Sequence, residues 1–177
     1  MRGPAQAKSG SSFLTDLYVH ALPEVYGYLR HRVRDPGLAE DLASETFVQD
    51  VRSLRDGTTD SVTTPWLMTV ARNKLVDHWR REARAERALS ALVEEAEPSD
   101  GGSEWDVRLE ETQALEVLAG LSPHHRAALT LRHVDGLSVP EVAKLLERTV
   151  QATEALLVRA RASFRRSYKE RGGDDGG

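Results

Sequence analysis

The sequence predicts an all-α chain built as two small helical domains joined by a flexible acidic linker. Three observations predict it. Apolar residues recur at three- and four-residue spacing along most of the 177 residues, and no segment alternates as a strand does. Aromatics make up only 6% of the chain, which suits small helical bundles better than a β-sandwich. One stretch, EEAEPSDGGSE at 94–104, breaks the periodicity with proline, glycine, serine and acids, as a linker does.

The elements run in order. Residues 1–12 read as a disordered leader. From Phe13 to about Arg34, residues Leu14, Leu17, Tyr18, Ala21, Leu22, Val25, Tyr26, Leu29 and Val33 hold a helical spacing, with a break or kink expected at Pro23. RDPG at 34–37 is a turn. A second helix covers about Leu38 to Leu54, with Ala39, Leu42, Ala43, Phe47, Val51 and Leu54 on its apolar stripe. After the loop RDGTTDSVTT, Thr64 is placed as an N-cap and Pro65 at the first helical position of a third helix, which runs towards Leu92. Its buried side is expected to hold Trp66, Leu67, Val70, Ala71, Leu75 and Trp79. Arg72, Asn73, Asp77, Arg80, Arg81 and Arg84 fall mostly on the other side.

The second helical group begins near Trp105 or Val107. Leu109, Ala114, Leu115, Leu118 and Leu121 belong to its first helix, and SPHHRAALTLRHV, with Ser122 as cap, forms the second. DGLS at 135–138 is a turn. Ser138 and Glu141 have the spacing of a capping box over a short helix, VPEVAKLLE, which a tight connection joins to a long final one. Residues 171–177 read as a disordered tail. The domains are therefore expected at 13–92 and 107–170, with the acidic linker at 93–106.

Composition bounds the chemistry. There is no cysteine, so this chain forms no disulfide, cysteine–zinc site or thiol switch. No apolar run reaches the roughly 20 residues of a membrane span, and the first residues lack a signal-peptide pattern, so a cytoplasmic location is expected. The six histidines form no metal-ligand pattern, and no nucleophile elbow or phosphate loop occurs. Neither an enzyme nor a cofactor or metal is expected. Formal charge is −4, but residues 94–111 hold eight acids and one arginine, so the rest is weakly basic. Residues 72–87 hold six Lys/Arg against three acids, and 159–171 six against one.

A short helix, a tight turn and a longer helix are the helix-turn-helix plan. Val142, Ala143 and Leu146 are expected to pack on Val150, Leu157 and Ala160. Ser138, Arg148, Thr149, Gln151, Ala152, Glu154, Ala155 and Arg159 are then candidates for contact with a DNA major groove. Arg161, Arg165 and Arg166 are suited to phosphates. The face with Arg72, Asn73 and Arg80 is suited to opened DNA, since asparagine bonds base edges and aromatics stack on extruded bases.

These segments resemble those of a known family. AEDLASETFVQDV (39–51) resembles the polymerase-binding segment of bacterial sigma factors. PWLMTVARNKLVDHWRREAR (65–84) is similar to their promoter-melting, minus-ten-reading helix. Residues 121–166 are similar to their minus-thirty-five-reading domain. The two-domain form resembles the extracytoplasmic-function (ECF) group. The resemblance implies that Asp41, Leu42, Glu45, Thr46, Phe47 and Val48 contact the clamp helices of the largest RNA polymerase subunit. It implies that Trp66, Arg72, Asn73, Asp77, Arg80 and Arg84, with the loop at about 55–64, capture non-template bases at the minus-ten element. It further implies an acidic linker directed towards the polymerase active-site channel, core RNA polymerase and promoter DNA as partners, and an anti-sigma factor as inhibitor. The chain departs from the family at Ser44, where glutamine is frequent, at Glu147, where glycine is common, and at Glu154 and Leu156, where Lys and Arg are common. Glu154 is suited to accept from a cytosine amine. Two other readings stand beside this one. One is a helix-turn-helix regulator with residues 13–92 as a dimerisation or ligand domain; the other is a sigma-like protein-interaction adaptor.

Overall fold

The computed structural model describes residues 5–55, 62–90 and 111–172. The linker at 93–106, most of the 55–64 loop and the last five residues lie outside them. The described residues form seven α-helices and a π-helical turn, and no strand occurs among them. The helices are α1 (Ala5–Arg30), α2 (Pro36–Arg55), α3 (Thr64–Ser90), α4 (Glu111–Gly120), α5 (Pro123–Leu129), α6 (Val139–Leu145) and α7 (Val150–Gly172). The chain divides into two compact units, Met1–Leu75 and Val76–Gly177. The division falls inside α3, so the C-terminal half of that helix groups with the later elements, whereas the sequence places the whole helix in the first domain.

In the first unit α1 packs on α2. Ala21, Val25, Leu29 and Val33 are buried, as are Ala39, Leu42 and Ala43 from α2, Val62, and Leu67, Ala71 and Leu75 from α3. Three expectations change here. Helix α1 starts at Ala5, so residues 5–12 belong to it where a disordered leader was expected. It also continues through Pro23. The proline ring denies a donor to the carbonyl of Val19, but Val19 is 59% exposed, where water can satisfy that carbonyl. The cap of α3 is Thr63 rather than Thr64: its hydroxyl oxygen accepts from the Trp66 amide at 3.4 Å, and its carbonyl takes the first helical bond from Leu67. At the start of α2, Asp35 plays the same part, its Oδ1 accepting from the Gly37 amide at 2.9 Å.

In the second unit a core of Val117, Leu121, Ala128, Leu129, Leu156, Leu157, Ala160 and Phe164 joins α4, α5 and α7. Val117 is the most deeply buried side chain of α4, a position absent from the stripe expected there. After α5 the chain winds as a π-helical turn, Thr130–Val134, closed by a bond from the Asp135 amide to the Thr130 carbonyl at 2.9 Å. Gly136 at φ 71° makes the next turn, and the Arg132 guanidinium donates to the Leu137 carbonyl at 2.8 Å. The Glu141 carboxylate then accepts from the Ser138 amide at 2.8 Å, the expected contribution of Glu141 to the capping box.

Candidate nucleic-acid and polymerase interfaces

The connection between α6 and α7 sets the helix-turn-helix. The Glu147 amide donates to the Lys144 carbonyl at 3.3 Å and the Arg148 amide to the Ala143 carbonyl at 2.9 Å. This is a Schellman motif with Glu147 at its left-handed position, φ 53°. The glutamate adopts the backbone that a glycine would take, so its presence leaves the turn geometry intact at a cost in strain. Thr149 then caps α7, its hydroxyl oxygen accepting from the Ala152 amide at 3.1 Å. Ser138 and Thr149, both expected at the DNA, hold helix ends.

Along α7, Thr153, Leu156, Leu157 and Ala160 turn inward while Gln151, Glu154, Ala155 and Val158 are exposed. Ala152 and Arg159 are half-buried between the two faces. Leu156 is 4% exposed and belongs to the core, so it is no substitute for a phosphate-binding base. Val150, expected in the packing between the two helices, is 44% exposed at the first turn instead. Basic side chains gather beside this face. Burial, with the like charges of Arg87 and Arg159, lowers the pKa of the Arg148 guanidinium. Such a gathering of cations favours an anion.

On α3 the predicted partition largely holds. Leu67, Ala71, Leu75 and Trp79 are buried, Trp66 and Val70 half-buried, and Asn73, Arg81 and Arg84 exposed or partly so. Arg72 is half-buried. Asp77 and Arg80, expected at opened DNA, are engaged within the protein: Arg80 binds the Asp77 carboxylate and also meets Glu147 at 2.5 Å. Glu82 accepts from Arg126 at 2.7 Å, and the Arg126 guanidinium lies 5.8 Å from the centroid of the Trp79 ring. The Asp77–Arg80 pair, three residues apart on one helix, could be read from spacing; the Arg80–Glu147 and Arg126–Glu82 pairs could not, because their partners lie 67 and 44 residues apart in the chain.

On α2 the polymerase-binding candidates divide. Leu42 and Thr46 are buried, and the Thr46 hydroxyl donates to the Leu42 carbonyl at 2.8 Å. Neither offers a side chain to a partner. Asp41, Glu45 and Val48 are exposed and Phe47 is half-buried. Ser44 completes a stripe of Asp41, Ser44, Glu45 and Val48 at helical spacing. Glu45 pairs with Lys74 at 3.5 Å. Tyr18 of α1, placed in the sequence only on the apolar side of its own helix, packs edge-on against Phe47 with ring centroids 4.8 Å apart and widens the face. Its position on a different helix left no signal in the α2 motif.

Among the described residues no cluster of histidine and carboxylate side chains has the arrangement of a metal site. No helix among them is long and apolar enough to cross a membrane.

Comparison with known proteins places both parts of the chain in one family. Residues 17–85 match the family model described as Sigma-70 region 2, and residues 111–164 match that of Sigma-70, region 4. The chain is 35% identical over 134 residues to the RNA polymerase sigma factor CarQ of Myxococcus xanthus, covering 73% of this chain and 74% of that one. It is 33% identical over 162 residues to the ECF RNA polymerase sigma factor BldN of Streptomyces coelicolor. That match covers 88% of this chain but only 60% of the longer relative. The sigma factor RpoE of Bartonella quintana, solved in complex with the anti-sigma factor NepR, shares the fold at a TM-score of 0.52 and 21% identity, over 88% of this chain and 96% of that one. The match of residues 17–85 disfavours a dimerisation or ligand domain there.

Proposed function

Because this chain belongs to the extracytoplasmic-function group of the sigma-70 family, we propose that it binds core RNA polymerase and directs promoter-specific initiation of transcription. The observation that carries this reading is the pairing of two sigma regions in one chain, each with an outward face suited to its task. The Asp41–Ser44–Glu45–Val48 stripe, with Phe47 and Tyr18, offers acids and apolar surface to the polymerase. The Asn73, Arg81 and Arg84 face of α3, beside half-buried Trp66 and Arg72, takes the opened minus-ten strand. The start of α7 enters the major groove of the minus-thirty-five element.

The domains of this reading are 13–92 for polymerase binding and melting and 107–170 for upstream recognition, with 93–106 as an acidic linker directed into the polymerase. The work done is binding. Contacts to extruded bases offset the few kcal/mol that unstacking costs per step. No catalytic group, metal or cofactor takes part, and the site of action is the cytoplasm, where polymerase and DNA are. An anti-sigma factor covering these faces is the inhibitor that fits.

Reconstitution with core polymerase tests the proposal. Promoter-specific transcripts are expected with the chain and not without it. Asn73→Ala should lower open-complex formation while polymerase affinity is kept. Absence of specific transcripts would overturn the sigma reading, and equal loss of both properties in Asn73→Ala would overturn the assignment of α3.

A further inference from the structure

The outward stripe of α7 has an unusual make-up for a DNA-reading surface. Gln151, Glu154, Ala155 and Val158 stand at i, i+3, i+4 and i+7 and are all exposed, Val158 at 43%. The stripe carries one carboxylate, two apolar side chains and no cation. The cations stand at its margins: Arg148 at the turn, Arg159 on the flank, and Arg161, Arg165 and Arg166 further along. Among the described residues Glu154 is not tied into the protein, whereas Glu147 is held by Arg80.

A carboxylate brought against a duplex is repelled by phosphates unless it meets a donor. On major-groove base edges the donors are the exocyclic amines of cytosine and adenine. Adenine sets its N7 acceptor beside that amine, so it suits a side chain that can both donate and accept, such as the Gln151 amide. Cytosine presents its N4 amine as a donor alone, which suits a group that only accepts. Guanine offers O6 and N7, both acceptors, and is rejected by a carboxylate. The apolar pair next to Glu154 fits another feature of the groove, the thymine C5-methyl group.

We propose that Glu154 is a specificity-determining residue that selects cytosine in the minus-thirty-five element, with Ala155 and Val158 against thymine methyl groups at adjoining positions. This rests on the promoter-reading function proposed above. The flanking arginines supply sequence-independent attraction, and the stripe spends its exposed surface on discrimination.

The experiment is run-off transcription by the reconstituted holoenzyme on templates with a randomised minus-thirty-five element, sequencing the templates that are used. The unaltered chain should enrich cytosine at one position, preferring it over the other bases by about five- to a hundredfold, the range of a good base contact. Glu154→Gln should move that position towards adenine and leave the others unchanged. Glu154→Ala should level it and strengthen binding to unrelated duplex, because a repelling charge is gone. Val158→Ser should weaken a neighbouring thymine preference. Identical preferences from the unaltered chain and both Glu154 variants would overturn the proposal. So would silence of both variants on every template, since Glu154 would then be structural. Failure of the unaltered chain to transcribe from any template would instead overturn the sigma reading beneath it.

Discussion

Glu147 stands in the left-handed region at φ 53° and its carboxylate meets the Arg80 guanidinium at 2.5 Å. The backbone is strained at the residue whose side chain makes the ion pair. The pair is largely on the surface on the glutamate side, where such pairs contribute about 0–1 kcal/mol. A left-handed residue with a Cβ costs about 1 kcal/mol relative to glycine. Glu147→Gln, which keeps the strain and drops the charge, should therefore lower stability by less than about 1 kcal/mol. Glu147→Gly should be more stable than Glu147→Gln by about 1 kcal/mol. Urea midpoints of the three proteins check this; a glycine variant weaker than the glutamine one would contradict it.

Thr46 and Glu45 are neighbours that face opposite ways, Thr46 buried and Glu45 exposed. Thr46→Val removes the bond to the Leu42 carbonyl and should cost about 1 kcal/mol of stability without changing polymerase affinity. The double variant Asp41→Ala, Glu45→Ala should weaken core polymerase binding several-fold and leave the unfolding midpoint nearly unchanged. Titration of labelled core with each protein, next to denaturant melts, separates the two. A loss of affinity in Thr46→Val at full folding would show that the residue reaches the partner.

Leu156 and Glu154 lie two residues apart on one helix, yet substitutions there should differ sharply in cost. Leu156→Ala should cost about 2–5 kcal/mol, since it empties part of the core formed with Val117 and Phe164. Glu154→Lys, on the exposed side, should fall within about 0.5 kcal/mol of the unaltered chain. Thermal unfolding compares them directly.

Acid should destabilise the second unit. Burial, together with the charges of Arg87, Arg148 and His125, pulls the pKa of His124 down to about 4. Burial also lowers His133, and it outweighs the attraction of Glu82 at His78. The fold thus favours neutral imidazole. This contribution is complete above the ordinary value of 6.5 and is lost as pH falls from there towards 4. Melting temperature should drop across that interval, and His124→Asn should flatten the drop. An unchanged slope in the variant would remove His124 from the account.

The fold class and most helix positions were legible because apolar spacing and cap residues are local signals. The capping box at Ser138 and Glu141 and the inward face of Leu67, Ala71, Leu75 and Trp79 follow from spacing alone. The functional faces were less legible. Leu42 and Thr46 lie inside a motif resembling a contact sequence, yet a motif mixes the residues that shape a helix with those that touch a partner. Only burial separates them. Thr149 has the residue type of a base contact, and its bond to Ala152 makes it a cap. Arg80 reads as available in the sequence, and its engagement with Glu147 depends on tertiary structure. Conversely Val158, an exposed apolar side chain on a helix otherwise easy to read, gains meaning only because its neighbours Leu156 and Leu157 face inward.

The π turn at Thr130–Val134 makes this part of the chain sensitive to length rather than to residue type. A π turn is an α-helix carrying one surplus residue. Excising that residue would let the α-helix close, retracting the downstream chain by about 1.5 Å and rotating it by about 100°. No point substitution shifts the phase of a helix so far. A single-codon deletion here would act on the placement of α6 and α7 while leaving every one of their side chains unchanged.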